Sequence, residues 1–300
     1  ALFDALGVEF VAADLTRREG LDRLLEGVDA VFHVAGIHDY STPDEIIFAV
    51  NVKAVENLCG AVVSAGVGRF IHLSSVGVYG YDWHSGVPVA EDAEKLTPPL
   101  NNYNVSKWEG EKIVQRYQRE KGLRTTIFRP AAIYGPRSEY GLFNAFKQIA
   151  SSRGKRRMLM AGKGDRIAAF LHVDDMCRAV LFALEHDETV GEVYNVSDDS
   201  RMTTAEFFQL VARELFGAEK PFFRVPMRLL LPAAAISQWL AKWRKTRPAL
   251  EVGTLHYLSC DRCWDNSKLA AAGFKLIHPS AEEGLKETLA WYRENGWFRS

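Results

Sequence analysis

Over its first two hundred residues the chain alternates short apolar runs with amphipathic stretches, and this alternation restricts its fold more than any other feature. VEFVAA (8–13), AVFHVAG (30–36), RFIHLSS (69–75), TTIFRP (125–130) and EVYNVS (192–197) have the length and the β-branched or aromatic content of strands. AVFHVAG, apolar throughout, reads as a buried strand. Helical patterns separate them: a capping-box start from Thr16 to Glu19 leading through Leu21, Leu24 and Leu25, a helix near 50–65, and another from about Tyr103 to Lys121. FLHVDD (170–175) leads into a helix through Ala183. Such alternation builds βαβ units around a parallel sheet. The expected fold class is therefore α/β, a doubly wound parallel sheet with a smaller, mostly helical C-terminal region.

The texture changes after Gly135. Residues 136–168 are loop-rich and basic (Lys155, Arg156, Arg157), a solvated face in the simplest reading. A loop with Pro88, Pro98 and Pro99 precedes the Tyr103 helix, and from Arg201 the pattern is helical, ending in a helix near Glu282 to Tyr292. The predicted division is 1–135 plus 170–198 as the sheet core, and 136–169 plus 199–300 as a substrate-binding region. Net charge is −1, so nothing global favours nucleic acid as a partner. Cys260 and Cys263 form a lone C-x-x-C with no second pair, which argues for reduced thiols in a cytoplasmic protein rather than for a zinc site. The apolar run from Leu229 to Ile236 is too short for the roughly 20 residues of a membrane span. It is followed by Lys242, Arg244, Lys245 and Arg247 beside Trp239 and Trp243, so peripheral membrane contact through 226–247 is one reading. A lid or pocket wall over an apolar substrate is the other, and the simpler.

Two Tyr-x-x-x-Lys pairs lie on the same expected helix, YNVSK (103–107) and YQREK (117–121). The spacing sets tyrosine and lysine one turn apart on one face, which lets an ammonium act on a phenol but does not require it. Ligands of a doubly wound sheet sit outside the carboxyl ends of its strands, where the following helices begin. RFIHLSS delivers Ser74 and Ser75 to that edge, and Tyr103 lies in the first turn of the helix. Tyr117 is about 21 Å further along the axis. Only Tyr103 and Lys107 can therefore share a site with Ser75. Serine, tyrosine and lysine together suit hydride exchange between a carbinol and a nicotinamide: tyrosine moves the proton at oxygen, lysine favours the phenolate, and serine holds the oxygen. The alternative is that Ser75 caps a turn and Tyr103 packs.

At this point the residues resemble the extended short-chain dehydrogenase/reductase, or NAD-dependent epimerase/dehydratase, family. VAADLT (11–16), VFHVAG (31–36), NVKAVENL (51–58), HLSSVGVYG (72–80), YNVSK (103–107), RPAAIYGP (129–136) and FLHVDD (170–175) occur in the family's order. The resemblance implies a Rossmann-type sheet, NAD or NADP as cofactor, and Ser75, Tyr103 and Lys107 as catalytic residues, with Lys107 also on the nicotinamide ribose. It implies cofactor contacts at Asp14 and Leu15 on the adenine side, at Ala35, Gly36 and Ser74, and at Pro130 and Ile133 beside the nicotinamide. It further implies a homodimer through the helices near 50–65 and 103–121. One departure is large: the family's G-x-x-G-x-x-G, which holds the pyrophosphate at a helix N-terminus, is absent. The chain is accordingly expected to lack the first strand–helix–strand and to start before the family's third strand.

Within the family, Val76-Gly77 stand where sugar-nucleotide 4,6-dehydratases carry Asp-Glu. Ala132 and Ala168-Ala169 stand where many epimerases place Asn and Arg-Asp. Apolar replacements there remove charge-assisted contacts to a diphosphate. Together with the tail YLSCDRCWDNSKLAAAGF (257–274), this resembles the 3β-hydroxysteroid dehydrogenase-like branch, which implies a small apolar substrate (sterol-, lipid- or flavonoid-like). A nucleotide-sugar epimerase and a non-catalytic Rossmann-like binding or sensor protein are the alternatives.

Overall fold

The computed structural model describes residues 6–39, 42–80, 86–95, 101–139, 141–244, 246 and 248–298. Ala1, Pro98, Pro99, Lys245 and Arg247 lie outside them, as does the side chain of Lys242. In chain order the strands are β1 (Ala30–His33), β2 (Arg69–Leu73), β3 (Thr125–Pro130), β4 (Ala132–Tyr134), β5 (Met158–Ala161), β6 (Phe170–His172), β7 (Val193–Val196) and β8 (Phe222–Val225). β1, β2, β3 and β7 form one parallel sheet in that spatial order, with Val31 opposite Phe70, Ile71 opposite Thr126 and Phe128 opposite Tyr194.

Successive side chains of a strand point to opposite faces, and both faces here are covered. Phe70 and Ile127 pack with Leu21, Val55, Leu58, Val62 and Val114. These come from the short helix α1 (Leu21–Leu24), from α2 (Asp44–Ala65) and from α3 (Asn102–Lys121). On the other face Ile71 and Phe128 meet Met176, Ala179 and Ala183, all on the helix Val173–Glu185. The sheet is therefore doubly wound and Rossmann-like, as its sequence pattern requires. With Val173–Glu185 as α5, a third apolar cluster, around Phe146 of α4 (Leu142–Ala150), Phe207 of α6 (Thr204–Phe216), Leu285 and Tyr292, joins these two helices to the last one, Ala281–Glu294.

Three expectations are corrected. VEFVAA (8–13) forms no strand, and its side chains are exposed, Phe10 at 72%. A strand persists only where a neighbour accepts its ladder bonds, and no described strand lies beside it. For the same reason β1 is an edge rather than a buried strand, with Phe32 and Val34 exposed. The helix expected from Thr16 begins only at Leu21, after Gly20 in the left-handed region (φ 86°). The Asp14 carboxylate captures both the Thr16 N–H (3.0 Å) and the Thr16 hydroxyl (2.7 Å), and this local turn displaces the capping box.

α2 and α3 run tightly together beside the sheet. A Cβ on Gly110 of α3 would lie 2.6 Å from the Asn51 carbonyl oxygen, so only glycine permits this approach. α2 is apolar and long enough to cross a membrane by length and composition alone. Its buried Val55, Leu58, Cys59, Ala61 and Val62 make it a core helix.

Candidate active site

The site is built where β2 ends and α3 begins. Asn101 caps α3, its side-chain oxygen accepting the Asn104 N–H (2.9 Å), which sets Tyr103 in the first turn. Lys107, one turn on and buried, donates from Nζ to the carbonyl of Leu73, the last residue of β2, at 2.6 Å. That bond ties the Tyr103 turn to the carboxyl edge of the sheet. Ser74 and Ser75 follow directly. Ser75 caps the 3-10 turn Val76–Tyr79 by accepting the Gly77 N–H (3.0 Å). This turn presses on α3: a Cβ on Gly77 would meet Asn104 Oδ1 at 2.5 Å. Ser75 and Tyr103, both half-buried, thus sit on two segments in direct contact.

Behind them lies a buried polar network. Glu111, two turns beyond Tyr103, is fully buried and accepts from Ser74 Oγ (2.9 Å), Gln115 Nε2 (3.0 Å) and Arg129 Nε (3.0 Å), with a second close bond from Arg129 Nη2. Arg129 Nη1 donates to the Tyr79 hydroxyl (2.6 Å) and the Glu91 carbonyl (2.9 Å). Burial pulls the Lys107 ammonium down to about 8, with Glu111 opposing it. Below Lys107, His33 and His72 face each other across β1 and β2 with Nδ1 atoms 2.9 Å apart. Burial, reinforced by Lys107, holds His33 down at about 3 and His72 well below its usual value, so both are neutral.

The second pair is spent elsewhere. Tyr117 donates its hydroxyl to Glu56 of α2 (2.7 Å), and burial and that carboxylate push its phenol up to about 12. Lys121 is exposed at the helix end.

The remaining expected positions are distributed. Ala35 and Gly36 follow β1 at the same edge and are exposed; a Cβ on Gly36 would come within 3.8 Å of Lys107 Nζ. Pro130 ends β3 and is buried, and Ile133 is half-buried in β4. Ser74 is buried and committed to Glu111. Asp14 is exposed and bound to its own turn, while the Leu15 carbonyl accepts from Asn57 Nδ2 (3.0 Å). The structure thus groups Ser75, Tyr103, Lys107 and Gly36 and leaves Asp14 in a self-contained turn. For a dinucleotide, the residues present fit the nicotinamide-ribose end: a buried cation, a half-buried phenol and a side-chain-free approach at Gly36.

Two participants escaped sequence reasoning. Glu111 repeats the four-residue interval from Lys107, and that was the available signal. Asn51, inside NVKAVENL, is buried in a π turn of α2 (Ala49–Lys53). It bonds both the N–H and the carbonyl of Ile37 (2.8 Å each) and Ser106 Oγ (2.9 Å), fixing the loop after β1 against α3.

Residues 2–197 match the model of the NAD dependent epimerase/dehydratase family. The chain belongs to this family. It is 24% identical over 300 residues to the 3beta-hydroxysteroid-dehydrogenase/decarboxylase isoform 2 of Arabidopsis thaliana, covering 94% of this chain and 51% of that protein. The chain therefore spans about half the length of this relative. It is 26% identical over 283 residues to the N-acetyl-alpha-D-glucosaminyl-diphospho-ditrans,octacis-undecaprenol 4-epimerase of Escherichia coli O157:H7, covering 93% and 82%. Among solved structures, the dTDP-glucose 4,6-dehydratase of Streptomyces venezuelae with NAD and TYD bound superposes with a TM-score of 0.75 at 25% identity, covering 97% and 82%.

Proposed function

We propose that the protein is an NAD(P)-dependent oxidoreductase acting on a secondary alcohol or ketone of an apolar, sterol- or lipid-like molecule. The observation that supports this reading is the Lys107–Leu73 bond, which ties the first turn of α3 to the carboxyl edge of the sheet. A bound nicotinamide would accept or supply the hydride at the substrate carbon. Tyr103 is assigned the proton at the substrate oxygen. Ser75 uses its oxygen to accept the Gly77 N–H, and its own proton remains to hold the substrate oxygen. The Lys107 ammonium is assigned the nicotinamide ribose and the part of the positive charge that favours a phenolate near it. Gly36 leaves room for the cofactor, and Pro130 and Ile133 line its nicotinamide side. Asp14, Leu15, Ala35 and Ser74 complete the proposed cofactor contacts, and a homodimer through the outer faces of α2 and α3 completes the assembly.

Substrate class rests on Ala168 and Ala169, both buried, and half-buried Ala132, none of which offers a diphosphate a donor side chain. The plant relative, a hydroxysteroid dehydrogenase by name, supports the same class. The test is absorbance at 340 nm with the complete protein, either nicotinamide cofactor and a panel of hydroxysteroids, repeated with Tyr103→Phe. Undiminished turnover in that variant sinks the assignment. The E. coli relative, matched over more of its length, favours a second reading as a nucleotide-sugar-type epimerase. Appearance of the 4-epimer on incubation with UDP-hexoses or the polyprenyl-linked sugar would establish it.

A further inference from the structure

The helix α7 (Met227–Arg244) carries an apolar stripe turned away from the protein. Leu229, Pro232, Ala233, Ile236, Trp239 and Trp243 recur on one face at helical spacing, and every one is exposed. The two tryptophans are exposed at 68% and 75%. At 3.6 residues per turn these positions fall within about 120° of arc, and the row from Leu229 to Trp243 is about 21 Å long. Ala234 and Ala241, on the opposite side, are buried and seat the helix on the protein. Exposed Arg228 and Arg244 border the stripe, one on either flank. With Leu229, Ile236, Trp239 and Trp243 all more than half exposed, the stripe is an outer surface.

Charge decides what such a surface meets. Residues 220–250 hold seven of the chain's 37 lysines and arginines and none of its 38 acidic residues, in a protein of net charge −1. A second copy of the same surface would bring like charge against like charge. An anionic lipid surface attracts it, and indole rings favour the boundary between headgroups and acyl chains. We propose that α7 lies flat on an anionic bilayer, with Trp239, Trp243, Ile236 and Leu229 in the interface and Arg228 and Arg244 on the headgroup phosphates. This goes beyond the oxidoreductase reading and does not depend on it, because docking needs neither cofactor nor substrate.

The test is cosedimentation of the complete protein with vesicles of phosphatidylcholine alone and of phosphatidylcholine mixed with phosphatidylglycerol. Expected results are retention on the anionic vesicles, release at about 0.5 M salt, and a blue shift of tryptophan emission. Arg228→Gln and Arg244→Gln each weaken binding roughly fivefold, and the double variant Trp239→Ser, Trp243→Ser weakens it by at least about tenfold. Quenching of the wild-type tryptophans by bromine-labelled acyl chains checks insertion without any variant. The inference is overturned if no vesicle retains the protein, or if brominated lipid leaves its fluorescence unchanged. It is equally overturned if the tryptophan variants bind undiminished, or if they instead abolish self-association seen without lipid.

Discussion

The two Tyr-x-x-x-Lys pairs of α3 share a helix, a spacing and residue types, and differ in what their packing leaves them to do. Lys107 is buried against the end of β2. Tyr103 lies one turn before it, on the segment that packs against the Ser75 turn. Tyr117 is held by a carboxylate that raises its phenol to about 12, the opposite of activation, and Lys121 is in solvent. A helix spacing therefore offers a tyrosine and a lysine to each other, but the strand end against which they pack decides whether they can do chemistry.

This contrast breaks most clearly at the phenols. Tyr103→Phe should lower kcat/KM by about 10²–10⁴-fold, the usual worth of a general acid–base group. A comparable loss from Tyr117→Phe, followed at 340 nm, would erase the distinction. Next in size is the network that only the first pair possesses. Glu111→Gln leaves Arg129 without its counter-charge in a fully buried setting and should cost about 3–5 kcal/mol, read from urea unfolding.

Lys107 sharpens the comparison through pH. A lysine is charged below its pKa, so a reaction that needs its ammonium runs fully well below about 8 and declines as pH rises through that value. Stability moves the other way. The unfolded chain, with lysine near 10.5, keeps a proton between about 8 and 10.5 that the folded state has released, so stability rises across that window. Lys107→Met should therefore abolish activity while raising stability at pH 7 by about 1–3 kcal/mol, measured by thermal unfolding. Lys121→Met should do neither. The smallest measurable effect belongs to Tyr117→Phe, which loses one bond to Glu56 for about 1 kcal/mol and leaves turnover unchanged.

Much of the fold was legible because its signals are local. The strands at 30, 69, 125 and 193 announce themselves by composition, and α3 by its helical pattern. VEFVAA carries the same composition and forms no strand, since composition measures how well a residue suits a sheet and not whether a neighbour is there. The Thr16 box failed because one aspartate two residues upstream competed for the same N–H. Ser75, Tyr103 and Lys107 could be expected at one edge because fold topology brings strand ends and helix starts together there. Glu111 and Asn51 could not, since their value lies in partners 14 to 55 residues away (Ile37 and Ser106 for Asn51, Ser74 and Arg129 for Glu111).

By itself the sequence determined the parallel, doubly wound sheet and the narrow choice of two tyrosines, because hydrophobic period and element order are written along the chain. Only the tertiary structure decided that Lys107 is buried, that Tyr117 is tied to Glu56, and that the apolar stripe of α7 faces outward. The reason is physical: desolvation and counter-charge depend on atoms brought together from distant segments. A residue's pKa, and with it its chemistry, follows those atoms rather than its neighbours in sequence.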